Sequence, residues 1–317
     1  METIAIIGTG NVGTALGKGW SRSGHSIVYG ASDTRSKSAL AVLESVSGTR
    51  VAGVAEAANE AGIVVLAVPF DALSDVINAC GDLQGKLVLD ATNPLTFHDD
   101  SLELALGFST SGGEQVAEMA VGADVFKTLN QVGFAVMSDT SGYASRPVMF
   151  VAGDNDRRKP DVFALVEDLG FEAREAGPMK AARLLEPYAS LWIDQALKFG
   201  APTDNAFGML RRNGEGGTVE CIRYELTSHT PEDLIAAYEE AGRHLREAPE
   251  CCGYQLTQCE ETPGRFILRI CWTSSEAHLT GFRKGPHFPP FLELVRPFVP
   301  EISEMTHYSP TRVAWTR

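Results

Sequence analysis

An apolar strand that runs directly into a glycine-rich turn and a helix is the feature that most constrains this chain. Residues 4–7 lead into Gly8-x-Gly10-x-x-Gly13, and a helix is predicted over about 12–23. Gly8 permits a sharp turn, Gly10 leaves room for a pyrophosphate against the backbone, and Gly13 lets the helix pack closely on the sheet. With a strand at 27–29, this predicts a β-α-β unit whose helix N-terminus binds phosphate. The alternative is a glycine-rich turn that binds no ligand.

The segments that follow continue the alternation of strand and helix. Apolar runs at 63–68 and 86–90 are typical of strands buried on both faces of a parallel sheet, and another strand is predicted at 125–130. A polar loop is predicted at 96–113, a helix at 180–198 and a short helix at 204–212. We therefore predict an α/β Rossmann domain, with a doubly wound and mostly parallel sheet, for residues 1–212.

The tip of the second predicted strand indicates which dinucleotide is favoured. NAD sites usually place an acidic residue there, but this strand ends in Gly30-Ala31. Ser32, Arg35 and Lys37 follow and could hold a 2′-phosphate by charge-assisted hydrogen bonds, so the predicted cofactor is NADP(H). Two alternatives remain open. Asp33 could bind the ribose hydroxyls if the strand is longer, and the two cations could be solvated charges at a helix start.

Composition excludes several classes of protein. The chain has 317 residues and a formal net charge of −14, which opposes nucleic acid binding. No apolar run approaches a membrane span, and the first strand begins too early to leave room for a signal peptide. Six cysteines show no Cys-x-x-Cys pair and no histidine at zinc-site spacing. We therefore expect reduced thiols, no metal site and a cytoplasmic location.

A change in composition predicts a second domain. Residues 213–218 contain three glycines and no apolar side chain, which is typical of a linker. In residues 219–317, strands at 219–226, 253–260, 265–272 and 304–308 and helices at 230–245 and 274–283 give the order β-α-β-β-α-β. This order predicts an α+β ferredoxin-like domain. Its core is small, so we expect a homodimer or a higher homo-oligomer.

Residues 1–212 resemble the family of NADPH-dependent oxidoreductases typified by coenzyme F420-dependent NADP reductase. The segments that carry the resemblance are 7–13, 67–69, 90–94, 126–130 and 185–192. The resemblance implies that the threonine of Gly-Thr-Gly and a Ser-Arg pair after strand two bind the 2′-phosphate. Thr9 matches, but Gly-Ala-Ser replaces the family's Gly-Ser-Arg, so Ser32 and the displaced Arg35 remain as candidates.

Residues 219–308 resemble the antibiotic-biosynthesis monooxygenases, which are small dimeric ferredoxin-like modules that oxidise quinols or polycyclic phenols. The resemblance rests on residues 265–268, Trp272, 275–278 and 285–288. His278 and His287 are the candidate catalytic residues there, because a histidine of near-neutral pKa can take a proton from a phenol. Both could instead be helix-end or interface residues, and Trp272 is expected in the core or the cleft.

Together these observations predict hydride transfer between C4 of the nicotinamide and a ring acceptor such as F420 or a flavin. Such a transfer needs alignment more than an acid or a base, and the first domain has no Ser-His-Asp or Lys-Tyr set. Ala67, Val68 and Pro69 are predicted to form the floor under the nicotinamide and its ribose, with Asn93 and Asn130 as polar orienting groups or, alternatively, structural caps. The full set of predicted cofactor-binding residues is Gly8, Thr9, Gly10, Asn11, Val12, Gly13, Ser32, Arg35, Lys37, Ala67, Val68, Pro69, Asn93 and Asn130.

Two other functions fit the sequence. The Rossmann domain could sense NADP(H) without turnover while the tail assembles subunits. Alternatively, the second domain could act as a cofactorless monooxygenase.

Overall fold

The computed structural model describes residues 1–98, 101–143, 145–209 and 217–311. The chain divides into two compact units, Met1–Leu210 and Arg211–Arg317. The predicted boundary at 212 and most of the predicted linker at 213–218 lie outside the described residues, so both stay predictions. Within the described residues no helix is long and apolar enough to cross a membrane.

The first unit alternates strands with helices. Its strands are β1 (Thr3–Ile7), β2 (Ser26–Ala31), β3 (Arg50–Gly53), β4 (Ile63–Leu66), β5 (Leu87–Asp90), β6 (Leu95–His98), β7 (Ser101–Leu104), β8 (Asp124–Lys127), β9 (Val148–Gly153) and β10 (Glu172–Gly177). Its helices are α1 (Asn11–Arg22), α2 (Lys37–Ser45), α3 (Val54–Glu60), α4 (Leu73–Cys80), α5 (Gly112–Met119), α6 (Phe134–Ser138), α7 (Lys159–Asp168) and α8 (Ala182–Leu197).

Eight of these strands form one sheet in the order β10-β9-β8-β5-β4-β1-β2-β3. All neighbouring pairs are parallel except β8 and β9, which are antiparallel. The chain winds in both directions from β1, and the predicted Rossmann fold is confirmed. The point between β1 and β4 where the order reverses is the place at which such sheets bind ligands.

Each face of this sheet carries its own apolar layer. In β1, Ile4 and Ile6 belong to one buried cluster while Ala5 and Ile7 belong to the other. This explains why the strands lack alternating polarity, since both faces are covered by helices. Trp20 of α1 is fully buried, and its indole N–H donates to the Leu165 carbonyl at 2.8 Å. The helix that follows the glycine loop is therefore fixed in place by packing.

The structure differs from the sequence prediction at two places in this unit. Part of the predicted loop at 96–113 is an antiparallel hairpin, β6 with β7, in which Leu95 pairs with Leu104. The predicted helix at 204–212 is absent from the described part, 204–209. Hydrogen bonds hold the chain there instead. The Asn205 carbonyl accepts from the Trp192 indole N–H, and the Phe207 carbonyl accepts from the Val148 N–H.

The second unit is a four-stranded antiparallel sheet with helices. Its elements are β11 (Thr218–Glu225), α9 (Pro231–Glu247), β12 (Cys251–Gln258), β13 (Arg265–Trp272), α10 (Phe288–Val295) and β14 (Ile302–Tyr308). The strand order β12-β13-β11-β14 is that of a ferredoxin-like fold, and this prediction is confirmed. The predicted helix at 274–283 is helical, but mainly as a π-helix at Ala277–Gly281 followed by a 3-10 turn at Phe282–Lys284.

Candidate functional sites

The glycine loop joins β1 to α1 and fits tightly against the end of β4. Gly8 has φ +123°, and a Cβ there would overlap the Ala67 carbonyl oxygen. A Cβ on Gly13 would overlap the Gly8 carbonyl oxygen, whereas a Cβ on Gly10 would meet no atom within 4 Å. Gly8 and Gly13 are therefore required by the fold itself. Gly10 faces open space, as a position that approaches a ligand should.

The N-terminus of α1 has no side-chain cap among the residues that the structure describes. Gly10 is the N-cap residue, no side chain caps the helix, and its first turn contains no acidic residue. The first N–H groups of a helix lack intrahelical partners and carry the positive end of the helix dipole. The backbone from Asn11 to Gly13, with Val12 half-buried between them, can therefore bind an anion.

A second helix start lies beside this loop. The Thr9 and Ser38 hydroxyl oxygens are 2.8 Å apart, and the Ser36 hydroxyl accepts from the Ala39 N–H as the N-cap of α2. Ser32, Arg35 and Lys37 are exposed around this helix start. The structure thus places Thr9 beside the start of α2 and adds the hydroxyls of Ser36 and Ser38 there, which sequence reasoning missed. An N-cap serine immediately before the first helical residue was the available signal.

Asp33, the competing candidate for ribose binding, is engaged in a local turn. β2 ends at Ala31, and the Asp33 carboxylate accepts the Arg35 backbone N–H at 2.9 Å. The alternative, in which Asp33 binds the ribose, required a strand that reaches Asp33. The strand ends before it. No acidic residue lies in the first turn of α2.

The predicted nicotinamide floor lies at the end of β4. Ala67 and Val68 are half-buried and Pro69 is exposed. The Ala67 N–H donates to the Ile7 carbonyl at 2.9 Å, which ties this turn to the strand before the glycine loop. Ala67, Val68 and the glycine loop therefore lie side by side at the carboxyl end of the sheet.

Asn93 and Asn130 bond mainly to each other. The Asn93 amide donates to the Asn130 carbonyl at 2.9 Å, and the Asn130 amide donates to the Asn93 side-chain oxygen at 2.9 Å. Asn130 is almost fully buried, and its oxygen accepts from Gln131. The pair clamps the chain after β5 to the chain after β8. Asn93, which is half-buried, keeps hydrogen-bonding capacity for a ligand.

A buried ion cluster lies immediately before this clamp, and sequence reasoning missed it. Lys127 is fully buried, and its Nζ lies 2.9 Å from the Asp90 carboxylate and 3.2 Å from that of Glu186. Glu186 also accepts the N–H groups of Gly112 and Gly113 at 3.0 and 2.9 Å, at the start of α5. The cluster joins β5, β8, α5 and α8. A charged residue in an otherwise apolar strand was the signal that could have revealed it.

The second unit holds a separate cavity of about 260 Å³ between its sheet and its helices. The lining is mainly aromatic and aliphatic, and it includes Tyr224, Tyr238, Trp272, Phe282, Phe288 and Phe291. One end is polar, where Glu220, His278 and Arg283 line the cavity. Trp272 is buried in the cavity wall, as expected.

His278 is fixed by contacts on every side. Its ring stacks on the Trp272 ring at 4.3 Å and 8°. Arg283 Nε lies 3.2 Å from His278 Nε2, and His278 Nδ1 lies 2.7 Å from His307 Nε2. Because the Arg283 N–H can only donate, His278 Nε2 accepts and His278 Nδ1 carries the proton that it donates to His307. Burial, then the charges of Arg283 and His307, lowers the pKa of His278 to about 4, so this histidine is neutral at pH 7.

Glu220 stands beside His278. Trp272 Nε1 donates to a Glu220 carboxylate oxygen at 3.1 Å. Burial raises the pKa of Glu220, against the lowering effect of that hydrogen bond and of the charges of His307 and Arg283. Ligand atoms of Glu220, His278 and His307 lie within 4.8 Å of one another, a spacing compatible with a metal ion. The guanidinium of Arg283 already supplies a positive charge there.

His287 is not part of this group. It is half-buried at the N-cap of α10, and its Nδ1 lies 3.5 Å from the Glu247 carboxylate. The cavity lining includes His278 but not His287. The structure therefore separates the two predicted histidines and adds Glu220, Arg283 and His307, which sequence reasoning missed because they come from three distant elements.

A glycine loop between β1 and an uncapped helix, at the reversal point of a parallel sheet, defines the first unit as a dinucleotide-binding Rossmann domain. Residues 3–94 match the family model described as NADP oxidoreductase, coenzyme F420-dependent. Residues 220–294 match the model described as antibiotic biosynthesis monooxygenase. The first match lies within the first unit and the second match within the second unit.

Parts of the chain are similar to solved structures. A protein named as an F420-dependent NADP-reductase from Arthrobacter sp. FB24 is 27% identical, with a TM-score of 0.62 over 67% of this chain and 100% of that one. A hypothetical protein from Sinorhizobium meliloti is 25% identical, with a TM-score of 0.52 over 65% of this chain and 95% of that one. A protein named as an antibiotic biosynthesis monooxygenase from Bordetella bronchiseptica is 22% identical, with a TM-score of 0.27 over 30% of this chain and 98% of that one.

Proposed function

We propose that the first unit binds NADP(H) and transfers hydride between its nicotinamide and a deazaflavin (F420) or flavin-like acceptor. The observation that carries the proposal is the uncapped start of α1, with open space at Gly10, beside a second helix start that has hydroxyls, two cations and no acid in its first turn. The family match of residues 3–94 supports the choice of cofactor.

Each part of the cleft has a distinct binding role in this proposal. The N–H groups at the start of α1 bind the pyrophosphate, with the helix dipole favouring its negative charge. Thr9, Ser32 and Arg35 bind the 2′-phosphate, which an acidic residue would repel. Ala67 to Pro69 support the ribose and the nicotinamide, and Asn93 orients the ring through its remaining hydrogen-bonding capacity.

The bound cofactor would supply the hydride from C4 of its reduced nicotinamide, leaving NADP⁺, and the acceptor ring would gain this hydride and one proton from water. The protein's part is alignment, because hydride transfer depends on the distance and angle between the two rings. The rigid clamp of Asn93 and Asn130, reinforced by the buried Lys127 cluster, suits that requirement.

The test is to follow NADPH absorbance at 340 nm with the full chain and F420, FMN or a quinone in turn. Oxidation with one acceptor is expected. Tight NADPH binding without oxidation by any acceptor would contradict the reductase function and favour an NADP(H)-sensing protein.

A second candidate function, oxygenation of a quinol or phenol, rests on the cavity of the second unit. Its aromatic walls fit a planar ring, and Glu220 and His278 lie at the polar end where a ring hydroxyl would be placed. The match of residues 220–294 supports it. Oxygen itself would be the oxidant and the phenol the electron donor.

Oxygen uptake by the full chain with a quinol, without NADPH, tests this function. His278→Ala should abolish any uptake, and His287→Ala, outside the cavity, should leave it unchanged. If the unmodified protein takes up no oxygen, the second unit is an assembly module. In that role we propose that it joins two copies of the chain as a homodimer.

We also propose a cytoplasmic location. All six cysteines are free thiols, which supports it.

A further inference from the structure

Helix α8 presents an apolar stripe that the described residues of the first unit leave uncovered. Leu184 is 70% exposed and Leu191 is 52% exposed, and Pro187 between them is also exposed. The spacing of three and four residues places all three on one face of the helix. Contiguous exposed apolar surface of this kind marks an interaction site more often than a solvated face.

The stripe forms one wall of a wide groove. The groove has a volume of about 1210 Å³, and its other wall comes from the chain after β7, at Leu104 to Phe108. Phe108 is fully exposed and adopts φ +53°, a conformation that few non-glycine residues hold. Arg183 fixes this wall to α8, since it donates to both carboxylate oxygens of Glu114 and to the Phe108 carbonyl. The groove is therefore preformed.

The pattern along α8 is symmetric about its middle. Leu184 and Leu191 lie equally far from the point between Pro187 and Tyr188. An exposed cation, Lys180, precedes the stripe, and the half-buried Asp194, whose carboxylate lies 2.9 Å from Lys198 Nζ, ends it. An identical helix laid antiparallel would place Leu184 against Leu191 and Lys180 beside Asp194. Such self-complementarity is the mark of a two-fold interface between copies.

We propose that this face of α8 pairs with the same face of a second copy of the chain, with the two helices antiparallel. The interface includes the leucine stripe, with Phe108 at its border, and its ends are joined by Lys180 of one copy and Asp194 of the other. It is separate from any pairing through the second unit and does not depend on the proposed reaction.

The direct test is a cross-link in the full chain. Leu184 and Leu191 of one helix are about 10 Å apart along its axis, too far for an internal disulfide. The double variant Leu184→Cys/Leu191→Cys, oxidised with copper phenanthroline, should give a covalent dimer on a non-reducing gel. Each single variant serves as the control, since it carries the same native cysteines. A dimer yield no higher than that of the single variants would overturn the proposal.

Sedimentation velocity gives an independent readout. In a concentration series, Leu184→Glu should raise the dissociation constant of the assembly, even where the second unit also joins the two copies. Leu197→Glu is the matched control, because Leu197 is 67% exposed but lies off the stripe. Lys180→Glu should weaken association, and adding Asp194→Lys should restore it. An unchanged dissociation constant in Leu184→Glu, with native circular dichroism, would mean that a ligand or another segment occupies the groove and would refute the pairing.

Discussion

At the scale of single residues, the glycines of the loop contribute separately to folding and to ligand binding. Gly13 is required by the close contact between α1 and the loop, whereas Gly10 has space for a side chain. A methyl group at Gly10 would occupy the space assigned to the phosphates. Fold and binding can therefore be tested at neighbouring positions.

We expect Gly10→Ala to weaken NADPH binding at least tenfold while changing the free energy of unfolding by about 1 kcal/mol or less. Gly13→Ala should instead destabilise the domain, because its Cβ overlaps the Gly8 carbonyl oxygen. Calorimetric titration and urea unfolding of both variants measure the two effects. Unchanged NADPH affinity in Gly10→Ala would place the phosphates elsewhere.

Arg35 is expected to distinguish NADPH from NADH. Arg35→Ala removes a charge-assisted hydrogen bond to the 2′-phosphate and should weaken NADPH binding by about 1–3 kcal/mol while sparing NADH. Arg157→Ala, at an exposed position outside the proposed cleft, is the control. Equal losses for both nucleotides would mean that Arg35 does not contact the phosphate.

Glu301 should make the second unit sensitive to acid. Burial would raise the pKa of this carboxyl, but the N–H groups of Thr227 and Ser228 and the contact with His229 outweigh it and lower the pKa to about 2. A lowered folded-state pKa stabilises the fold above the unfolded value of about 4.5 and loses that effect as the pH falls towards 2.

Glu301→Gln should therefore be less stable than the unmodified chain at pH 7. Urea unfolding of the second unit at a series of pH values should show this difference shrink from pH 4.5 down to about 2. Glu260→Gln, on the exposed surface, should show no such trend. A difference that does not depend on pH would assign the effect to packing instead.

At the scale of elements, the buried Lys127 cluster connects two strands and two helices. Removing one member leaves an uncompensated buried charge, which typically costs about 3–5 kcal/mol. We expect Lys127→Met to destabilise the first unit by that amount in urea unfolding. Arg50→Met, which removes two exposed ion pairs, should cost less than about 1 kcal/mol. Similar losses in both variants would contradict a structural role for the cluster.

The elements that sequence reasoning found are those with a strong local pattern. The apolar runs at 63–68 and 86–90 and the glycine loop identified β4, β5 and α1, because burial on both faces and turn chemistry leave marks in adjacent residues. The π-helix at His278 and the irregular chain at 204–209 depend on distant partners, His307 and Val148 among them. The same holds for the site, since Gly8 to Gly13 are contiguous while Glu220, Arg283 and His307 meet only after folding.

At the scale of the whole molecule, the two units have separate apolar cores. The buried clusters of the first unit contain no residue of the second, and the cluster around Tyr238 and Trp272 lies wholly within the second. Each core is able to unfold cooperatively in its own transition.

NADPH should therefore stabilise only one of two thermal transitions. At a free concentration 100 times the dissociation constant, binding adds about 2.7 kcal/mol to the stability of the unit that holds the site. Scanning calorimetry with and without NADPH, using Gly10→Ala as the matched control, measures this. A shift of both transitions by the same amount would show that the units unfold together.

The carboxylate of Glu186 also bears on how a dinucleotide can lie along the carboxyl edge of the sheet. The N–H groups at the start of α5 already bind this carboxylate, whereas the start of α1 has no side-chain cap. The positive end of a helix dipole attracts an anion. The phosphates are therefore favoured at α1 and the weakly charged ring away from it, so the cofactor should bind in a single orientation.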